Sequence, residues 1–275
     1  MITSKKKSIL MMAALLSLCS VSVAGIVDTI SIYSYKMHKN IHCVIVRPNS
    51  YKKKIIHFPV VYLLHGFDGS YNNWIKQVPE INEYADRYQS IIICPDGAAD
   101  SWYFDSPVDT AYRYETYIAL EVVHYIDQNY RTIADRKHRA ICGLSMGGHG
   151  ALFLALRHPD TFGAAGSMSG GVDLSQSKNL FALIKRIGDT TVNAREWHDL
   201  TIINLIEHFT NTSVKIIFDC GNKDFFIDGN RMLHRKMSEL NIPHDFIERP
   251  GEHSWEYWKN ALPYHLLFFR RFFDS

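Results

Sequence analysis

Arg139-Ala140-Ile141-Cys142 runs into Gly143-Leu144-Ser145-Met146-Gly147 and then into Gly148-His149-Gly150-Ala151-Leu152-Phe153-Leu154-Ala155-Leu156. A buried strand, a sharp turn and an apolar helix follow one another here, with a serine at the corner. The glycines have a steric reason, because a side chain at Gly143 or Gly147 would collide with the neighbouring strand and helix in so tight a turn. The helix presents free N–H groups and the positive end of its dipole to Ser145, which favours an incoming negative charge. The bare Gly-x-Ser-x-Gly spacing arises by chance in about one chain of this length in ten. The strand before it and the helix after it decide against a mere packing turn.

Outward from this corner, short apolar runs alternate with longer segments of helical period. The runs are His42–Arg47, Val60–Leu64, Ser90–Cys94, Arg139–Cys142, Ala164–Met168, Val214–Cys220 and His244–Glu248. Unbroken apolarity, as in Val60-Val61-Tyr62-Leu63-Leu64, implies central strands covered on both faces. Helices are expected over Tyr114–Tyr130, over Gly148–Arg157 and over Asn230–Leu240, the last capped by Asp228 or Asn230. Such alternation specifies an α/β fold with a mostly parallel central sheet and helices on both faces. The stretch from Val172 to Thr212 has weak periodicity and reads as a helical insertion roofing a cleft. With no repeat or linker in view, residues 25–275 are expected to form one catalytic domain.

Serine does not form an alkoxide unaided at neutral pH; an imidazole must take its proton and a carboxylate must fix the imidazole's tautomer. After a serine elbow of this kind the order along the chain is serine, acid, histidine. The run ending at Cys220 leads into Gly221-Asn222-Lys223-Asp224, so Asp224 lies in the loop beyond a strand's carboxyl end, where open α/β sheets carry their sites. Asp219, inside the strand, and Asp228, nearer the next helix, are the alternatives. Among 14 histidines, His253 follows a strand through Arg249-Pro250-Gly251-Glu252 and precedes Ser254-Trp255-Glu256-Tyr257-Trp258, at the same sheet edge. His244 sits at the wrong end of that strand, and His265 is expected on the surface of the terminal helix. Attack on a carbonyl creates an oxyanion that needs two fixed N–H donors. Met146 supplies one, and Phe67, in the loop His65-Gly66-Phe67-Asp68-Gly69, supplies the other. Trp102 and Tyr103 are candidate walls of a substrate pocket.

Taken together, Leu63-Leu64-His65-Gly66-Phe67-Asp68-Gly69, Gly143-Leu144-Ser145-Met146-Gly147-Gly148, Cys220-Gly221-Asn222-Lys223-Asp224 and Gly251-Glu252-His253-Ser254-Trp255 resemble the esterase D superfamily of α/β-hydrolases, over roughly Ile41 to Phe273. Ser101-Trp102-Tyr103-Phe104-Asp105 is similar to the site wall of its exported and short-chain members. The resemblance implies a serine carboxylesterase acting on short-chain, acetyl or feruloyl esters, on a small molecule or a polysaccharide, with Ser145, Asp224 and His253 as its triad. An acyltransferase of the same fold, or a non-catalytic carbohydrate-binding or interaction protein on the same scaffold, are the competing expectations.

Composition bounds the rest. With 275 residues, 47% hydrophobic and 21% charged, the chain has material for a substantial core. Residues 1–24 carry Lys5-Lys6-Lys7, an apolar stretch from Ile9 to Leu18 and Ser22-Val23-Ala24, the three parts of a cleavable export signal. Their apolar stretch is too short and too interrupted to span a membrane; a lipid anchor at Cys19 is the minority alternative, poorly served by Leu18. The formal charge of +2 belongs to this segment, since its removal leaves 27 basic side chains against 28 acidic ones. With no cationic surface implied, nucleic acid is not an expected partner. Cys43, Cys94, Cys142 and Cys220 each lie in or at the end of an apolar run and read as buried thiols, without metal-ligand spacing. No cofactor or metal is called for by this chemistry.

Overall fold

The computed structural model describes residues 25–177, 179–210 and 212–275; the segment read as an export signal lies outside the described residues. Eight strands make one sheet: β1 (Ile26–Ser34), β2 (Lys39–Arg47), β3 (Val60–Leu64), β4 (Ile91–Pro95), β5 (Arg139–Leu144), β6 (Ala164–Met168), β7 (Lys215–Gly221) and β8 (His244–Arg249). Their order is β1-β2-β4-β3-β5-β6-β7-β8. β1 and β2 form an antiparallel pair and β2 is antiparallel to β4. From β4 to β8 every pairing is parallel, which is the mostly parallel sheet expected from the apolar runs and the α/β-hydrolase arrangement that the family resemblance implies.

β3, β4, β5 and β6 are buried at every position. Alternate residues serve opposite faces. Val60, Tyr62 and Leu64 belong to the core on one face, which also holds Ala151 and Leu154 of the helix after the elbow, α1 (Met146–Arg157), and Leu233 and Met237 of α2 (Ile227–Glu239). Val61 and Leu63 belong to the core on the other face, which also holds Trp258, Leu262 and Phe269 of α3 (Trp255–Phe273). Each such side chain removed from water stabilises the fold by roughly 1.5–3 kcal/mol.

Several local expectations are corrected. β1 escaped the sequence reading because it is an edge strand with exposed residues among its apolar ones, so no continuous apolar run marks it. The Tyr114–Tyr130 helix is present, but its middle, Tyr117–Val122, widens into a π-turn between Tyr114–Thr116 and Val123–Asn129. α2 starts earlier than expected, after Phe226. Asp228 therefore falls in its first turn, and the Asn230 amide is buried, donating to the Gly170 and Phe226 carbonyls instead of capping. Val172–Thr212 contains the short helices Leu183–Ile187, Ala194–Asp199 and Ile202–Leu205. Arg186 ties this segment down, donating to Asp100 at 2.9 Å and Asp109 at 2.7 Å while lying over the Tyr112 ring.

Candidate active site

Ser145 joins β5 to α1 with φ 55° and ψ −117°, a sparsely populated conformation that costs on the order of 1–3 kcal/mol. Neighbours over-determine it: the Ser145 N–H donates to the Met168 carbonyl at 2.9 Å, and its own carbonyl accepts from His149 at 3.1 Å. The glycines behave as expected. A Cβ on Gly143 would run into the Gly147 carbonyl, and one on Gly147 would come within 2.5 Å of the His65 carbonyl.

The structure brings Ser145, His253 and Asp224 into one chain of hydrogen bonds. Ser145 Oγ lies 2.9 Å from His253 Nε2, and His253 Nδ1 donates to Asp224 at 2.8 Å to Oδ2 and 3.0 Å to Oδ1. The loops carrying acid and base are joined through their backbones, since Asn222 N–H donates to the Arg249 carbonyl at 2.8 Å and Lys223 N–H to that of Gly251 at 2.9 Å. The Asp224 carboxylate is fully buried, and its Oδ1 also accepts from the Phe226 N–H at 2.8 Å. These bonds fix the carboxylate, and the carboxylate fixes the imidazole tautomer.

Neither alternative acid reaches His253. Asp228 is exposed and faces Arg231. Asp219 is buried in β7 and accepts from His265 Nε2 at 2.7 Å. His265 is thereby corrected from a surface position to a fully buried one. It stands on the inward stripe of α3, and its Nδ1 lies 3.5 Å from the Cys142 thiol, whose pKa burial pushes well up. All four cysteines of the described residues are buried and free.

The His65–Gly69 loop lies against the serine: a Cβ on Gly66 would be 3.4 Å from that of Ser145. His65 organises it. Its Nε2 accepts from the Gly97 N–H at 2.8 Å, which leaves Nδ1–H to donate to the Gly66 carbonyl, also at 2.8 Å; burial lowers its pKa and favours this neutral form. A trans peptide directs C=O and N–H to opposite sides, so holding the Gly66 carbonyl inward turns the Phe67 N–H away from His65. Among the described residues, neither the Phe67 nor the Met146 N–H donates a backbone hydrogen bond outside a helix or strand. Both remain available to a ligand.

These groups face a cleft of about 570 Å³. Trp102 and Tyr103 do not line it, a correction to their expected role. They are 1% and 0% exposed, and each is engaged below the surface. Trp102 Nε1 donates to the Phe181 carbonyl and the Tyr103 hydroxyl to that of His65, so they hold the walls rather than form them. The aromatic wall comes instead from Phe67, Phe181, Phe225, Trp255 and Trp258. Phe181 stands 5.4 Å from the Phe67 ring and 6.3 Å from Phe225, whose ring is 4.2 Å from His253. Phe225 is 59% exposed, and its only sequence signal is a pair of aromatic residues directly after the acid. His149, on α1 beneath the roof, reaches the Trp102 and Leu200 carbonyls. Burial outweighs both acceptors and lowers its pKa to about 4. Among the described residues no group of His, Cys, Asp and Glu side chains could hold a metal ion.

Comparison with known proteins adds to this geometry. The family model described as "Putative esterase" matches residues 34–269. An esterase of Mycobacterium tuberculosis is 27% identical over 235 residues, covering 76% of this chain and 51% of that protein; the chain thus spans about half the length of the first relatives it matches. An acetyl esterase of Caldicellulosiruptor saccharolyticus is 25% identical over 252 residues, covering 85% of this chain and 94% of that one. Among solved structures, a ferulic acid esterase superposes with a TM-score of 0.79 at 30% identity, covering 91% of this chain and 99% of that chain.

Proposed function

The chain belongs to the putative esterase family, and from that premise we propose that it hydrolyses carboxylic esters through Ser145, His253 and Asp224. Ser145 Oγ attacks the acyl carbonyl while His253 Nε2 takes its proton. The tetrahedral oxyanion is held by the Phe67 and Met146 N–H groups at the amino end of α1, where charge stabilisation contributes about 3–4 kcal/mol for a single donor. His253 then gives the proton to the departing alcohol, and the acyl-enzyme forms. Water, deprotonated by the same imidazole, releases the acid and restores Ser145. Asp224 holds the ring for both transfers.

The observation carrying this reading is the continuous 2.9 and 2.8 Å path from serine to imidazole to buried carboxylate. The wall of Phe67, Phe181 and Phe225 suits an apolar or flat acyl group, from acetyl and short-chain to feruloyl, on a small molecule or a polysaccharide. Residues 25–275 act as one catalytic domain, with residues 1–24 cleaved on export; among the described residues no helix is long and apolar enough to cross a membrane. Purified protein should cleave p-nitrophenyl acetate, with Ser145→Ala losing at least 10³-fold in kcat. Undiminished turnover in that variant would remove Ser145 from the reaction. Cleavage after Ala24 is tested by intact mass of the chain recovered from an exporting host, a retained segment counting against it.

A further inference from the structure

Asp219 is a fully buried carboxylate that the proposed reaction does not use. Its Oδ2 accepts from His265 Nε2 at 2.7 Å and from Arg249 Nη2 at 3.4 Å. An ionised carboxylate can only accept, so His265 Nε2 carries a proton, and in the neutral ring Nδ1 is left to accept from the Cys142 thiol 3.5 Å away. The sheet makes room for this ring. A Cβ on Gly166 of β6 would come within 2.4 Å of His265 Nδ1, although glycine weakens the interior of a strand. Burying such polar groups is costly, and well-packed apolar side chains of similar volume commonly serve stability as well or better. What the polar set adds is direction: its bonds fix one relative placement of the elements that carry them.

Those elements are the ones that carry the triad. Cys142 stands on β5 three residues before Ser145, Asp219 on β7 five before Asp224, and Arg249 ends β8 four before His253. The backbone joins in. The Asp219 carbonyl accepts from the Ser169 N–H at 2.8 Å, directly after Met168, whose own carbonyl holds the Ser145 N–H at 2.9 Å. The Arg249 carbonyl in turn accepts from the Asn222 N–H at 2.8 Å, in the loop that leads to the acid. One residue, through its side chain and its main chain, is thus linked to the strands of nucleophile, acid and base.

We propose that Asp219 and His265 are positioning residues for the triad: their buried pair sets β5, β7 and β8 against one another, and so sets the hydrogen bonds among Ser145, His253 and Asp224. Neither touches the substrate. The inference rests on the esterase reading above and extends it to the strands behind the site. A misplacement of about 1 Å costs on the order of a hundredfold in rate, so a loosened pair shows in kcat while KM, set by the cleft wall, is kept.

The test measures kcat and KM for p-nitrophenyl acetate well below every Tm, with Tm recorded beside them. His265→Leu, which removes the donor to Asp219, is expected to lose about tenfold in kcat with KM kept within about twofold. His265→Gln, whose amide nitrogen can take the place of Nε2, should recover most of that loss. Phe273→Ala, an apolar change two turns further along α3, should lower Tm and leave kcat at the wild-type value. Wild-type kcat in His265→Leu overturns the proposal, as does a Gln variant no better than Leu, or an equal loss of kcat in Phe273→Ala, which would make the effect one of stability alone. Arg249→Met removes the other donor at a partly exposed position and remains readable should the core variant not fold. It is expected to lose about threefold in kcat, and wild-type kcat there overturns the proposal as well. Failure of the underlying reading looks different: p-nitrophenyl acetate turnover would then survive Ser145→Ala, whatever these variants do.

Discussion

His149 packs flat on Phe153, with ring centroids 5.7 Å apart, and is buried where the elbow helix meets the roof. Its lowered pKa, about 4 through burial, has a consequence for stability. The unfolded chain protonates this imidazole from about pH 6.5 downward, while the folded chain resists until about 4. Stability from this group is therefore complete above pH 6.5 and declines as pH falls toward 4, by about 3 kcal/mol in all. His149→Asn should show a shallower loss of Tm between pH 7 and pH 4.5 than the wild type; parallel slopes would mean that His149 takes up its proton alike in the folded and unfolded chain. At this scale the sequence was most legible where a residue stands in a motif whose backbone geometry leaves no choice, as at Ser145 and His253. His265 carried a readable signal that went unused: it is three residues after Leu262 and four before Phe269, on the buried stripe of its helix. Trp102 and Tyr103 misled because an aromatic residue near a strand end suits a pocket wall and a core equally, and only the three-dimensional packing decides.

Among the elements, the roof depends on one buried guanidinium. Arg186 is 1% exposed on its side chain and bridges two carboxylates, those of Asp100 and Asp109, while Phe181, five residues earlier, enters the cleft. Phe181 and Ala182 both have left-handed backbones, at φ 54° and 57°. The clamp and the Trp102–Phe181 hydrogen bond hold this costly turn in place. Arg186→Met keeps the side chain's length but takes the guanidinium from both carboxylates, leaving Asp100 only the Lys185 ammonium at 3.8 Å, which should cost about 3 kcal/mol and lower Tm by roughly 6–12 °C. The displaced Phe181 should raise KM for aryl esters more than for acetyl esters. A Tm loss without that selective KM change would show that the clamp stabilises the roof without positioning the wall. The central strands β3 to β6 were legible because their apolarity is continuous, and β1 was not because its apolar residues alternate with exposed ones. The roof was legible only as an insertion, since its helices span no more than six residues and such short pieces are held by tertiary contacts rather than by periodicity.

Across the whole molecule, the parallel half of the sheet delivers its functional loops to one edge. β3 ends at the His65 loop, β5 at Ser145, β7 at the Asp224 loop and β8 at the His253 loop. Residues 65, 145, 224 and 253 thus meet although far apart in the chain, which is what a parallel sheet with sites beyond its carboxyl ends provides. This convergence was readable from the sequence, because each motif follows an apolar run directly. Activation of Ser145 by that convergence is tested most directly with a fluorophosphonate probe, mapping the adduct by peptide mass spectrometry. Wild-type protein should carry one phosphonyl group, on Ser145, and His253→Ala should label at least a hundredfold more slowly. Equal labelling of the two proteins, or an adduct elsewhere in the chain, would contradict it.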